Sequence, residues 1–230
     1  MEKEVKSAEK IDFVTTMMNC LTFILAVALK PINALKSKIK DYSDFKGAGI
    51  LVLFVALAEM IVNLLGTMIS TIFVKQTSFF SGETKLIVSF KNLKDLNYFD
   101  LIVKNLFWSV IIIAAVAGVY YVVSMIMKKN ANYFRLAAIT AVSFVPLYAA
   151  LFVSIIIAYI YAPLSAFVVF AAFIYSFLIF IHAIDNEVEF KDADFKVFFH
   201  VICLTAVFIV AYYVLNNSVG SMASFGSLLK

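Results

Sequence analysis

A chain of 230 residues that is 63% hydrophobic and only 15% charged stands far from the roughly 45–50% apolar and 25% charged usage of soluble domains. A soluble protein of this length has too little interior to hide so much apolar surface. The bilayer is therefore its solvent, and no room is left for a separate soluble enzyme domain. The formal charge is +4, but of nineteen basic residues only Arg135 is an arginine, a poor set for bidentate recognition of phosphates or bases. That argues against nucleic-acid binding.

In chain order, MEKEVKSAEKID mixes charges and no small-residue cleavage site follows it, so no cleaved signal peptide is expected. Over 11–29 a polar stripe of Asp12, Thr15, Thr16, Asn19 and Thr22 recurs at helical spacing and gives way to FILAVAL. KPINALKSKIKDYSDFKG follows with five lysines, and Ile32, Leu35 and Ile39 share one helical face. We read these as amphipathic helices in the interface, with Lys30, Lys36, Lys38 and Lys40 toward anionic headgroups and the apolar side in lipid. A short spanning helix over 11–29 is the alternative and brings the number of spans to six.

Crossing a bilayer takes roughly 20 apolar residues in a helix, because the backbone must satisfy its own hydrogen bonds there. Five stretches meet this requirement, near 50–74, 103–127, 136–159, 163–184 and 199–217. The loop over 75–100 is too long for a tight turn. Its Phe79, Phe80, Leu86, Ile87, Val88 and Phe90 are expected to lie on the outer leaflet or to cap the bundle. Pro146 falls inside the third stretch and predicts a kink, whereas Pro163 suits the first turn of the fourth. Only YIYAPLS separates those two stretches, so they form an antiparallel hairpin. Ala114 and Gly118, and Ala137, Ala138 and Ala141, are small-residue patterns that serve internal packing or a dimer equally well. The expected architecture is an all-α polytopic transmembrane helix bundle, with an interfacial region over 1–49, five helices over 50–217 and a flexible tail over 218–230.

Orientation follows from lysine asymmetry. With five spans, thirteen basic residues fall in segments on the side of the N-terminus and five on the other, leaving Lys104 at a boundary. The N-terminus is thus expected in the cytoplasm.

Glu59 is the chemical oddity of the first span. Asn63, Gly66, Thr67 and Ser70 follow at i+4, i+7, i+8 and i+11 on the same face. An ionisable group at such depth faces the bundle interior or a wet cavity. It acts either as a proton or substrate site or as a hydrogen-bonding link between helices, and the second reading is the one preferred. His182 and His200 bracket a segment carrying Asp185, Glu187, Glu189, Asp192 and Asp194. His182, Asp185 and His200 are weak candidates for a divalent metal. Their spacing matches no metal motif, and a solvated acidic loop is the preferred reading. Cys20 and Cys203 lie in apolar segments and act as small hydrophobes. No Walker, GxSxG, HExxH or CxxC pattern occurs, so neither a cofactor nor soluble-type catalysis is expected.

The layout as a whole carries a resemblance. LKPINALKSKIKDYSDFKG runs straight into the first span, a long loop and a second span follow, then the short basic loop KKNANYF, and the third span carries SFVPLYAALF with the Ser143-x-x-Pro146 pattern. From about Lys30 to Asn217 the chain resembles bacterial members of the Yip1 family, five-spanning proteins with a cytoplasmic N-terminus. Heavy use of Lys, Phe, Ile and Asn fits an AT-rich bacterial genome. The resemblance implies a multi-pass, non-enzymatic scaffold of the bacterial cell membrane, whose partners are lipids and a membrane protein or further copies of itself. Eukaryotic relatives act in vesicle trafficking with small GTPases. The cysteine-rich zinc ribbon of some bacterial relatives is missing from this sequence. The rival expectation is a small transporter, a channel or the membrane subunit of an export complex, with Glu59 as its polar site.

Overall fold

The computed structural model describes the backbone over 2–77, 84–190 and 192–219, and side chains over 15–74, 86–190 and 192–212. The expectations for Asp12, Phe79 and Phe80 and for the tail from residue 220 onward lie outside these ranges. The chain forms α1 (Glu2–Leu29), α2 (Pro31–Lys38), a 3-10 turn (Ile39–Tyr42), α3 (Phe45–Ile72), β1 (Phe73–Thr77), β2 (Thr84–Val88), a second 3-10 turn (Lys91–Asp95), α4 (Tyr98–Ile126), α5 (Tyr133–Ser143), α6 (Val145–Ile160), α7 (Ala162–Val188) and α8 (Ala193–Val219). Five helical segments of 20 to 29 residues are long and apolar enough to cross a membrane: α3, α4, α5 with α6, α7, and Ala193–Tyr212 of α8. The protein is a polytopic helical membrane protein. The apolar part of α1, Thr15–Leu29, is shorter than these.

Local chemistry explains several boundaries. Asp44 caps α3, its carboxylate accepting from the Gly47 N–H at 3.4 Å, which satisfies one of the orphan donors of the first turn. A Cβ at Gly47 would sit 2.8 Å from the Asp44 carboxylate, so the cap requires glycine there. Asn97 caps α4 by accepting from the Asp100 N–H at 3.1 Å. Asn132 caps α5 by accepting from Phe134 at 2.9 Å and Arg135 at 3.1 Å. The helices start earlier than hydropathy alone indicated because these polar caps lie outside the apolar runs.

The kink expected at Pro146 is a break: α5 ends at Ser143 and α6 restarts at Val145, with the proline in its first turn. A new helix start exposes N–H groups that have no intrahelical acceptor. The buried Ser176 of α7 resolves one of them, its hydroxyl accepting from the Leu147 N–H at 3.1 Å. Pro163 occupies the first turn of α7 as expected, and α6 folds back on α7 through Tyr161 alone.

The core centres on α5, in which every residue from Leu136 to Ser143 is buried. Helices α3, α4 and α7 surround it, and α1 and the first 3-10 turn close one side. Ala137, Ala138 and Ala141 therefore serve packing within the chain. At Gly118 no close helix approach requires glycine: a Cβ there would meet nothing within 4 Å. On α1 the buried face is Cys20, Phe23 and Val27, with Phe23 stacked on Tyr42 at 5.0 Å. On α2 the lysine face is exposed. Its apolar face, however, meets protein instead of lipid: Leu35, Ile39 and Tyr42 are buried in the core, while Ile32 is exposed. Tyr42 supplies the reason, since its stacking on α1 ties the amphipathic segment down onto the bundle.

The long loop contains a two-stranded antiparallel hairpin that the sequence reading did not anticipate, with Phe73 opposite Val88 and Thr77 opposite Thr84. It grows directly out of α3, and the Ser89 N–H donates to the Ile72 carbonyl at 2.9 Å. The available signal was the Ser81-Gly82 pair between two β-branched stretches. Leu86, Ile87, Val88 and Phe90 are exposed.

Replacing Ser176 with alanine leaves the Leu147 N–H unsatisfied in a dry environment, which costs about 1–3 kcal/mol. The S176A protein is expected to unfold at a lower temperature in detergent, whereas Ser176→Thr, which keeps the acceptor, loses less. Equal melting temperatures for S176A and the parent protein would show that the bond does not support the break.

Candidate functional site

Two regions gather the polar residues singled out above. The first is the face of α3. Asn63, Gly66, Thr67 and Ser70 all line one groove of about 410 Å³, walled on the other side by Ser154, Ile155 and Tyr159 of α6. A Cβ at Gly66 would lie 3.0 Å from Ile155 Cδ1, so glycine permits the close approach of α3 and α6 beneath the groove. Its hydroxyls are largely turned to their own helix: Thr67 donates to the Asn63 carbonyl at 2.9 Å and Ser70 to the Thr67 carbonyl at 2.9 Å. Tyr159 closes one end, its hydroxyl 3.3 Å from the carbonyls of both Ile69 and Phe73.

Glu59 departs from this set. It is half-buried, is not among the groove's lining residues, and lies near Tyr148 of α6. Tyr148 could not have been read from the sequence, since it lies 89 positions away.

The second region is the end of the bundle where α2, the α4–α5 connection and the α7–α8 connection meet. Asn132 holds it together. Its amide donates to the Ser43 carbonyl at 3.1 Å and its N–H donates to Glu187 Oε1 at 3.4 Å. Arg135 Nη1 reaches the two Glu187 oxygens at 3.2 and 3.4 Å. Lys129 donates to the Glu189 carbonyl at 3.4 Å and lies over the rings of Phe190 and Phe195.

The acidic segment departs from the expected solvated loop at Asp185 and Glu187, whereas Glu189, Asp192 and Asp194 are exposed. Helix α7 runs on to Val188 and α8 begins at Ala193, so Asp185 and Glu187 are helical. Their side chains are only 12% and 7% exposed. Matching cations make that burial tolerable. Asp185 binds His200 Nε2 at 2.8 Å and Lys196 at 2.6 Å, and His200 is buried among Tyr120, Phe190 and Phe199. Of the three weak candidates, the structure joins Asp185 and His200 and leaves His182 apart. The Nε2 of His182 is buried without a hydrogen-bond partner. Among the described residues, no group of three or more His, Cys, Asp or Glu side chains is placed to hold a metal ion. Lys196 was missed because its partner lies across the α7–α8 turn.

Lys36, Lys38 and Lys40 are exposed on α2 and the turn after it. Lys36 and Lys40 share a polar cleft of about 220 Å³ with Asn186, Glu187 and Glu189 of α7. Lys30 lies on the other side of α2, at the mouth of a cavity of about 750 Å³ between α2 and α7 that also includes His182 and Asp185.

Five apolar helices, a polar intramembrane face and a basic end define a multi-pass integral membrane protein. The chain belongs to the Yip1 domain family, whose profile matches residues 25–215. The match begins inside α1 and ends inside α8, so it takes in α2 and all five long helices. No curated protein and no solved structure matches the chain.

Arg135→Ala strips Glu187 of its cation and leaves a mostly buried carboxylate. Breaking a buried pair costs about 3–5 kcal/mol, and because Arg135 is 30% exposed water tempers this to about 1–3 kcal/mol. The double replacement R135L/E187L is expected to recover most of the loss in a detergent unfolding assay. A double variant no more stable than R135A would show that the pair holds the bundle end in a way apolar packing cannot replace.

Proposed function

We propose that the protein is a non-enzymatic scaffold of the bacterial cell membrane, with its N-terminus in the cytoplasm. It engages anionic lipid and a membrane-protein partner, or further copies of itself, through the lysine face of residues 30–46 and the polar face of α3. The observation that carries this reading is the outward display of Lys36, Lys38 and Lys40. Their segment is anchored on its opposite face by Leu35, Ile39 and Tyr42, so the charges project from a fixed platform. Each lysine near an anionic surface contributes about 1 kcal/mol. The lysine asymmetry along the chain supports the orientation, and membership of the Yip1 family supports a scaffold in preference to a catalyst.

A second reading, a small transporter or export-complex subunit, is favoured by one observation: Glu59 sits half-buried within a span near a tyrosine. Such residues mark proton or ion pathways in other membrane proteins.

Two variants separate the readings. K36E/K38E/K40E is expected to abolish photo-crosslinking from position 33 to neighbouring membrane components and to raise hydrogen exchange over α2 in phosphatidylglycerol bilayers. Glu59→Gln, which keeps a hydrogen-bonding group near Tyr148, is expected to change neither. Indistinguishable behaviour of the two variants would overturn the scaffold reading. Proton-coupled flux in proteoliposomes that disappears in E59Q would establish the second.

A further inference from the structure

The cavity between α2 and α7 has the form of a lipid slot. On α7 its wall is one helical face, running from Tyr175 through Leu178 and His182 to Asp185. At 1.5 Å per residue that face is about 15 Å long, half of the roughly 30 Å hydrocarbon thickness. One leaflet's acyl chain fits this depth. Its deep part is apolar, and its charged groups gather at the helix end, where headgroups lie. A volume of about 750 Å³ falls within the roughly 300–1,000 Å³ of pockets that enclose a small ligand.

The chemistry at the mouth selects the headgroup. Lys30 is exposed there and makes no ion pair among the described residues. Helix α2 starts beside it with Pro31 and without a side-chain cap, so the N–H groups of its first turn point out of the helix with their partial positive charge. His182 lines the same wall one turn before Asp185. The one acid on the wall, Asp185, does not oppose an anion, because Lys196 and His200 already occupy its two oxygens.

We propose that this slot holds one anionic phospholipid. Its phosphate lies against Lys30 and the open first turn of α2, and an acyl chain runs along Leu178 and Tyr175. The proposal rests on the lipid-binding part of the function above and gives it a location and a headgroup class.

The full chain, reconstituted with its only tryptophan removed (Trp108→Phe) and a reporter introduced by Tyr175→Trp, can be tested with brominated lipids. Brominated phosphatidylglycerol is expected to quench the reporter with roughly fivefold preference over brominated phosphatidylcholine. Lys30→Gln is expected to bring the two toward parity, while Lys91→Gln, outside the slot, keeps the preference. Parity in the protein that retains Lys30 overturns the proposal whether or not the Lys30 variant folds, and so does an unchanged preference in K30Q. Inorganic phosphate that displaces the brominated lipid assigns the site to a free anion and overturns it as well. Parity here together with crosslinking lost in K36E/K38E/K40E removes the slot and leaves the scaffold. The fivefold preference with crosslinking retained does the reverse.

Discussion

Helix α5 is enclosed on every side, and the arrangement of the other helices follows from that enclosure. In a bilayer, helices gain little from hiding apolar surface, since lipid is as apolar as they are. Association depends on close packing and on hydrogen bonds between helices. Ala137, Ala138 and Ala141 let neighbours approach α5 closely, and its one buried threonine, Thr140, spends its hydroxyl on the Leu136 carbonyl at 2.8 Å. No polar group of Thr140 is left to seek water. The break at Phe144 ends this enclosed segment, and from there α6 packs on α7 and faces α3 across the groove.

Polar side chains mark the two ends of the bundle, and they do different work. At the hairpin end, Tyr159 ties α6 to the end of α3, where the helix turns into strand. At the basic end, Asn132, Arg135 and Glu187 bind the start of α5 to the end of α7, and Asp185 draws α8 in through His200 and Lys196. Helix α8 packs chiefly on α4, so its attachment to α7 relies on these polar contacts and on the rings around His200. Charge at that end is therefore of two kinds: pairs that are consumed inside the structure, and lysines on α2 that remain outward.

Much of this was legible in the sequence. Hydropathy located five spans to within several residues, since a run of apolar side chains long enough to cross lipid has no other use. Pro146 and Pro163 marked a break and a helix start for reasons of backbone geometry. The helical register of Asn63, Gly66, Thr67 and Ser70 placed them on one face, and they do line one groove. Glu59 shared that register and still fell outside the groove, because the neighbouring helix decides where a groove opens. The hairpin after α3 was missed because a short pair of strands beside long apolar spans carries a weak periodic signal.

Length, hydropathy, lysine distribution and proline position act locally, along one segment at a time, and so the sequence by itself determined the class of protein, the number of long spans and the faces of its helices. Partners separated by many positions belong to the tertiary structure alone. Ser176 answers Leu147, Glu187 answers Arg135, and Asp185 answers His200. No spacing rule connects such residues, because packing in three dimensions decides which buried polar group meets which. The slot between α2 and α7 is of the same kind: Lys30, at the start of α2, and His182, on α7, lie far apart in the chain, and only the docking of Leu35, Ile39 and Tyr42 on the bundle brings them to one cavity.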